Sequence, residues 1–445
     1  MFFKPLKLAL VSALCLSSSA AFALPFNSFD PRSMAMGGAG VAVGSAGTAP
    51  FFNPALLAVT KDEDDFSLIL PIVGVRVYDP EDFRTSVDNF QTGNYVGKVK
   101  TSINTFNAPG GLTLPNANAI AADTGVLNSQ LATLDSKPIQ AEFGTAMVVG
   151  IPSKKYGGAF FASGSGALGG VINYRDKQTL TDLAQVASDA AACSSDPVLN
   201  AAACNAVAAS PYVDGTGNFT FNTANLQSKI NIRGVAKAET GISVAREITI
   251  REQSLAIGLS PKIVKVLMFD AVADVNSNAT LTGDDYRAEY TNFNFDLGIA
   301  KNHKNGWRSG FVVKNVIPYS YDFKRANTPG GTPVPTGVKM ELKPQARVGV
   351  SHSNTWSTVA LDVDITRNDP AGLEDKSQYI ALGGELDAFG WAQIRAGYRA
   401  DIVNSARNVA SLGLGLALFK VVHVDIAAAG NKNEMGASFQ FGVRF

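Results

Sequence analysis

Apolar and polar residues alternate with a period of two over segments close to ten residues long, and the pattern returns down most of the chain. In the last segment Ala437, Phe439, Phe441, Val443 and Phe445 share one face, while Ser438, Gln440, Gly442 and Arg444 share the other. Leu412, Leu414, Leu416 and Leu418 alternate with Ser411, Gly413, Gly415 and Ala417 in the same way, and Leu361, Val363 and Ile365 with Asp362 and Asp364. A period of two is that of a strand whose faces meet different surroundings, and about ten residues is the length that crosses a bilayer as a tilted strand. The alternation predicts some fourteen strands, at about 66–78, 139–152, 157–174, 228–246, 253–275, 285–301, 307–323, 338–353, 356–367, 377–389, 391–403, 407–419, 421–429 and 435–445.

The connections divide into two kinds. Tight ones such as Pro152-Ser153-Lys154-Lys155 and His303-Lys304-Asn305-Gly306 alternate with long ones at 79–138, 175–227, 324–337 and 368–376. Short periplasmic turns opposite long external loops are the habit of outer-membrane barrels. Trp307, Trp356 and Trp391 all fall at tight connections, and Tyr78, Tyr174, Tyr286, Tyr319, Tyr321 and Tyr379 near the opposite ends, which reads as two aromatic girdles. Ala117–Leu134 and Thr179–Ala209 carry near-helical spacing, so the two longest loops are expected to hold short helices.

The start of the chain sets the compartment. Lys4 and Lys7 precede an apolar run from Leu8 to Leu16, and Ala21-Phe22-Ala23 supplies the small-x-small site of a cleaved secretory signal over residues 1–23. Cys15 leaves with it, since Leu14 is too large for lipoprotein processing. Cys193 and Cys204 then remain, an even pair expected to form a disulfide. Composition agrees with an exported barrel: 17% charged residues, 42 glycines and a mean hydropathy of +0.08. No mature stretch approaches the roughly eighteen apolar residues of a membrane-spanning helix. Acidic and basic residues balance at 38 each, which gives no sign of nucleic-acid binding.

Candidate chemistry is sparse. Gly164-Ser165-Gly166-Ala167-Leu168-Gly169 matches a dinucleotide fingerprint, but no helix follows it; Gly164, Gly166, Gly169 and Gly170 read instead as a weak, bent stretch of the third strand and a candidate side opening in the wall. His303, His352 and His423 lack ligand spacing, and Asp62-Glu63-Asp64-Asp65 lacks the glycine punctuation of a calcium loop. No metal, cofactor or catalytic constellation is expected. Arg233, Lys314, Arg347, Arg395, Arg399 and Arg444 against Asp296, Asp362, Asp364 and Asp425 on the inner face suggest a lumen filled by ion pairs that hold a plug.

Residues 24–64 are too short and glycine-rich for a domain of their own, and are expected to plug a barrel formed by 65–445. Within them, Arg32-Ser33-Met34-Ala35-Met36-Gly37-Gly38-Ala39-Gly40 and Phe51-Phe52-Asn53-Pro54-Ala55 resemble the N-terminal region of the FadL-like outer-membrane superfamily, nearest its conjugal-transfer TraF-like branch. The ending Gly442-Val443-Arg444-Phe445 is similar to the aromatic terminus read by the barrel-assembly machinery. The resemblance implies an all-β, fourteen-stranded transmembrane barrel in a Gram-negative outer membrane. Met36, Gly37, Gly38, Asn53, Pro54 and Ala55 would lie in its hatch, and a kinked third strand would release hydrophobic ligands sideways. Two functions follow: a passive channel for small hydrophobic molecules, or a component of a conjugative or secretory machine whose external loops bind envelope proteins. A soluble periplasmic β protein ranks behind both.

Overall fold

The computed structural model describes residues 29–59, 65–250, 252–274, 283–328, 330–368, 376–388, 390–419 and 421–444. The signal segment, Asp62, Glu63, Asp64 and Phe445 lie outside them. Sixteen strands occur among the described residues. They are β1 (Ser67–Tyr78), β2 (Pro138–Ile151), β3 (Gly157–Asn173), β4 (Lys229–Ile250), β5 (Gln253–Asp274), β6 (Arg287–Asn302), β7 (Trp307–Lys314), β8 (Tyr319–Arg325), β9 (Val334–Leu342), β10 (Gln345–Ser353), β11 (Ser357–Asp364), β12 (Tyr379–Ala388), β13 (Ala392–Asp401), β14 (Val409–Leu418), β15 (Val422–Gly430) and β16 (Glu434–Arg444).

Fourteen of them close a barrel in which every strand pairs antiparallel with its neighbours, and β16 returns to β1 with Ser67 opposite Arg444 and Tyr78 opposite Glu434. Closure leaves no strand edge unpaired, which a bilayer interior demands. The alternation read from sequence sets the two faces. Along β14, Leu412, Leu414, Leu416 and Leu418 point outward and exposed, while Ser411 and Ala417 are buried inward. Val73, Val75 and Val77, then Ile394 and Tyr398, then Ile426, Phe439 and Phe441 continue the outer apolar surface around the wall. So much contiguous exposed apolar surface is stable only against lipid. No helix of the described residues is long and apolar enough to cross a membrane.

Two predicted strands need correction. The segment 307–323 is not one wall strand: β7 ends at Lys314, Asn315 takes a left-handed φ of 54° and Pro318 follows before β8 begins. Likewise 338–353 is split at Lys343-Pro344 into β9 and β10. β8 and β9 pair with each other and leave the wall. Their Tyr321, Phe323, Met340 and Leu342 pack on Val264, Val266 and Met268, the inner face of β5. Period two describes a hairpin folded inward as well as it describes a wall strand, so only the prolines marked the break.

The predicted girdles divide by side-chain parity. Trp307, Trp356 and Trp391 stand exposed at the tight-turn end, as expected. Tyr78, Tyr321 and Tyr379 are buried inside the barrel instead, because each shares parity with inward-facing neighbours. Arg407 lies over the Tyr78 ring and Arg399 over that of Tyr379.

At the long-loop end, the two largest insertions form one helical layer. It contains the expected helices, and two more from 83 to 107. In chain order after two short hatch helices, α1 (Pro31–Ala35) and α2 (Ala49–Phe52), they are α3 (Phe83–Gly93), α4 (Tyr95–Asn107), α5 (Leu114–Leu134), α6 (Lys177–Ser195) and α7 (Ala201–Ala208). Val99, Ile103 and Phe106 of α4 meet Ile120, Leu127 and Leu131 of α5 and Leu180 and Leu183 of α6 in a common apolar core. The Cys193–Cys204 disulfide forms as expected, with Cα atoms 5.0 Å apart, and ties α6 to α7.

Candidate functional site: the hatch and the lumen it fills

The site is built from the short N-terminal segment and the inner wall. Asp30 starts α1, its carboxylate accepting from the N–H groups of Arg32 (3.3 Å) and Ser33 (2.8 Å), with Pro31 at the first helical position. Burial pushes the Asp30 carboxyl above the usual range, and the Ser33 bonds oppose that. Gly37 (φ 69°) and Gly38 (φ 99°) then turn the chain. A Cβ on Gly37 would stand 2.5 Å from the carbonyl oxygen of Tyr398, so both conformation and space exclude a side chain there.

Beyond the turn, the hatch backbone bonds to wall side chains. The N–H groups of Gly40 and Val41 donate to Asp362 Oδ2 at 2.8 and 2.9 Å. Ser411 Oγ donates to the Ala35 carbonyl (2.9 Å) and accepts from Gly37 N–H (3.2 Å), Ser351 Oγ donates to the Ala42 carbonyl (3.0 Å), and Lys314 Nζ donates to that of Phe51 (3.0 Å). Arg32 forms a two-pronged pair with Glu385, both contacts 2.8 Å. Burial alone would weaken the charge on Arg32; Glu385 more than offsets it, so the pKa lies above the ordinary arginine value.

Asn53 is the hub of the second motif. Fully buried, its Nδ2 donates to the carbonyls of Val41 (3.1 Å, hatch) and Ile299 (3.0 Å, wall), while Oδ1 accepts from Ala55 N–H (3.1 Å) and so caps the 3₁₀ turn Pro54–Ala58. Ala55, Leu56 and Leu57 then pack with Val148, Phe161, Ala245 and Ala256 of the wall. The hatch residues singled out by sequence, Met36, Gly37, Gly38, Asn53, Pro54 and Ala55, thus all lie inside the barrel.

Sequence reasoning missed how the wall receives them. Inward glycines let the two backbones touch: a Cβ on Gly298 would stand 2.0 Å from Asn53 Oδ1, one on Gly397 2.2 Å from Gly37 N, and one on Gly310 2.5 Å from the Val41 carbonyl oxygen. The high glycine content is partly this close approach, and the signal available was glycine at inward parity.

The lumen is ion-paired, as the inner-face charges suggested. Arg347 meets Asp364 and Arg395 meets Asp425, each at 2.5 Å; Arg399 meets Glu434 at 2.5 Å; Arg233 lies 3.6 Å from Asp270. Arg444 is exposed and lines a cavity of about 620 Å³ at the tight-turn end, beside Asp30, Arg32, Glu385, Trp356 and His423. Unpredicted members include fully buried Lys262, between Glu239 (2.9 Å) and Asp296 (2.8 Å), and Arg76, between Glu142 (3.2 Å) and Glu434 (3.4 Å). Of the remaining histidines, His303 bonds Ser309 and His352 packs against Trp307.

The glycine stretch read as a side opening lies within a fully paired strand. β3 pairs in unbroken register with β2 and with β4 through Gly164, Gly166, Gly169 and Gly170. Gly166 lies under the ring of Phe143 from β2, which a Cβ would meet at 2.4 Å. An aromatic on the neighbouring strand covers the glycine, so the weak spot in sequence is a shielded one in the wall.

Hatch and wall together define a plugged fourteen-stranded transmembrane barrel of FadL-like fold. The family model described as "F plasmid transfer operon, TraF, protein" matches residues 50–364, and the chain belongs to that family. No curated protein matches it by sequence. Among solved structures it is similar to the toluene transporter TbuX of Ralstonia pickettii, at 14% identity and a TM-score of 0.51, over 94% of this chain and 99% of that one. It is also similar to the toluene transporter TodX of P. putida, at 12% identity and a TM-score of 0.46, over 95% and 99%.

Proposed function

We propose that the chain is an outer-membrane channel for small hydrophobic molecules, its bore gated by the hatch. The observation that carries this reading is that the bore is filled by a separate segment. About eight strands suffice for a barrel whose own side chains fill it; larger barrels enclose space. Here fourteen strands enclose space that the hatch occupies through hydrogen bonds, ion pairs and packing, none of them covalent. Support for an apolar cargo comes from the likeness in fold to the toluene transporter TbuX. With β3 paired on both sides, the exit runs past the hatch toward the periplasm. Outer-membrane residence, a signal over 1–23, a plug over 24–64, a barrel over 65–445 and assembly through Phe445 belong to the same proposal, and no catalytic role is assigned.

The test is uptake of a radiolabelled aromatic hydrocarbon by cells carrying the protein or an Ala42→Cys/Ser351→Cys variant. Wild type should take up label faster than vector controls. The oxidised pair should stop it, and a reductant should restore it. Uptake at the control rate, with the barrel folded, refutes the channel reading.

A second reading, a component of a conjugative or secretory machine, is favoured by the family match and the sealed β3 wall. Deleting 180–215 should then break an envelope complex while leaving permeability unchanged. A lone barrel in every pull-down would count against it.

A further inference from the structure

β4 and β5 run 22 residues each, roughly twice what the membrane needs. At their far end the inner face is not apolar. Lys229 and Arg233 share the inward parity of Val235, and Asp270 stands opposite Arg233 in the ladder. Arg325, at the end of β8, reaches the same carboxylate. These residues, with Arg175 after β3 and Asp285, line a cavity of about 560 Å³.

The arrangement is built around one buried acid. Asp270, 2% exposed, is met by Arg325 Nη2 at 3.0 Å and by Arg233 Nε at 3.6 Å, and its carbonyl accepts from Arg325 Nε at 3.2 Å. Arg233 is further fixed by the face of Phe323, 5.2 Å from its guanidinium carbon. Asp285 is engaged by the N–H of Gly330. Among the described residues, no other side-chain partner accompanies Arg233 or Arg325, and none accompanies Arg175. An arginine carries five N–H donors, so most of those on the two braced guanidinium groups remain for a ligand. Three arginines, Arg175, Arg233 and Arg325, line the cavity, and two of them share the one carboxylate of Asp270. Such a fork, oriented before binding, suits the planar or tetrahedral oxygens of carboxylate and phosphate.

We propose that this cavity binds a soluble oxyanion carrying phosphoryl or carboxylate groups and larger than inorganic phosphate. The side chains face the barrel interior, so the ligand arrives from the external medium and not from the headgroups of the surrounding membrane. The site is separate from the hatch and does not depend on the channel reading.

The experiment is calorimetric titration of the full-length protein in neutral detergent at low salt, with pyrophosphate as the probe. Wild type should bind, and affinity should fall as salt rises. Arg233→Gln and Arg325→Gln should each weaken binding about tenfold or more. Arg175→Gln, at an exposed position that cannot threaten the fold, should weaken it about threefold or more. Lys265→Gln, on the outward face of β5, should change nothing. Absence of binding at on the order of 10 mM pyrophosphate, or unchanged binding in all three arginine variants, overturns the site. Arginine-dependent binding of phosphatidic acid vesicles without binding of free pyrophosphate overturns the soluble source.

Discussion

Replacing Asn53 with alanine should loosen the hatch and leave the barrel standing. The amide holds three backbone groups at once: the carbonyls of Val41 and Ile299 and the N–H of Ala55. In the seated state of the variant the Val41 carbonyl and the Ala55 N–H lose their partner in a place water does not reach, whereas in the released state water satisfies both; the Ile299 carbonyl keeps its place in the strand ladder. A buried polar group without a partner costs about 1–3 kcal/mol, so even the lower figure gives a bias of about 2 kcal/mol toward release. At about 1.4 kcal/mol per factor of ten, that is roughly thirtyfold in the seating equilibrium. The assay uses a reporter cysteine at Ala42, buried in the seated hatch, labelled by a water-soluble maleimide; Cys193 and Cys204 are joined and silent. Labelling should speed up by about that factor while the barrel keeps its heat-dependent gel shift. A rate within threefold of the Asn53 parent, with the barrel folded, would refute the assignment of Asn53 as the hub.

Gly298→Val should give the same labelling phenotype from the wall side, because its Cβ would occupy the place of Asn53 Oδ1. Leu414→Arg puts a charge on the outer apolar band at a cost of about 2–4 kcal/mol near mid-depth, read as a lower folded fraction on unheated gels. Phe323→Ala empties a fully buried position between the inward hairpin and β5, worth about 3–5 kcal/mol; amide exchange should accelerate in 319–342 and stay unchanged in β10–β16. Cys193→Ser opens a loop of about a dozen residues, worth about 3 kcal/mol or less, so proteolysis should increase near α7 while the barrel's gel shift is retained.

Most of the barrel was legible because a lipid-facing wall imposes one period and one length on every strand. Leu412 to Leu418 could not have belonged to any water-soluble surface without a partner. The hatch motifs were legible because Gly37, Gly38 and Asn53 have conformational or bonding roles that few residues can fill. Elsewhere the signal was ambiguous for physical reasons. Tyr321 and Phe323 alternate as a wall strand would, and only Pro318 and Pro344 say that the chain leaves the wall. Gly164 to Gly170 looked like a gap because the cover comes from Phe143, on another strand. Lys262 needed two acids brought from β4 and β6, and no local pattern announces such a trio.

The 22-residue β4 and β5 stand beside strands such as β7, β10 and β11 that span only eight or nine. A dozen or so extra residues at about 3.3 Å each amount to roughly 40 Å along the strand, or about 30 Å of height at the tilt usual for such barrels. The rim is therefore a slanted collar, high over β3–β6 and low over β7–β15. A molecule approaching the mouth meets a parapet from one side and an open sill from the other, so approach is one-sided before any residue has recognised anything.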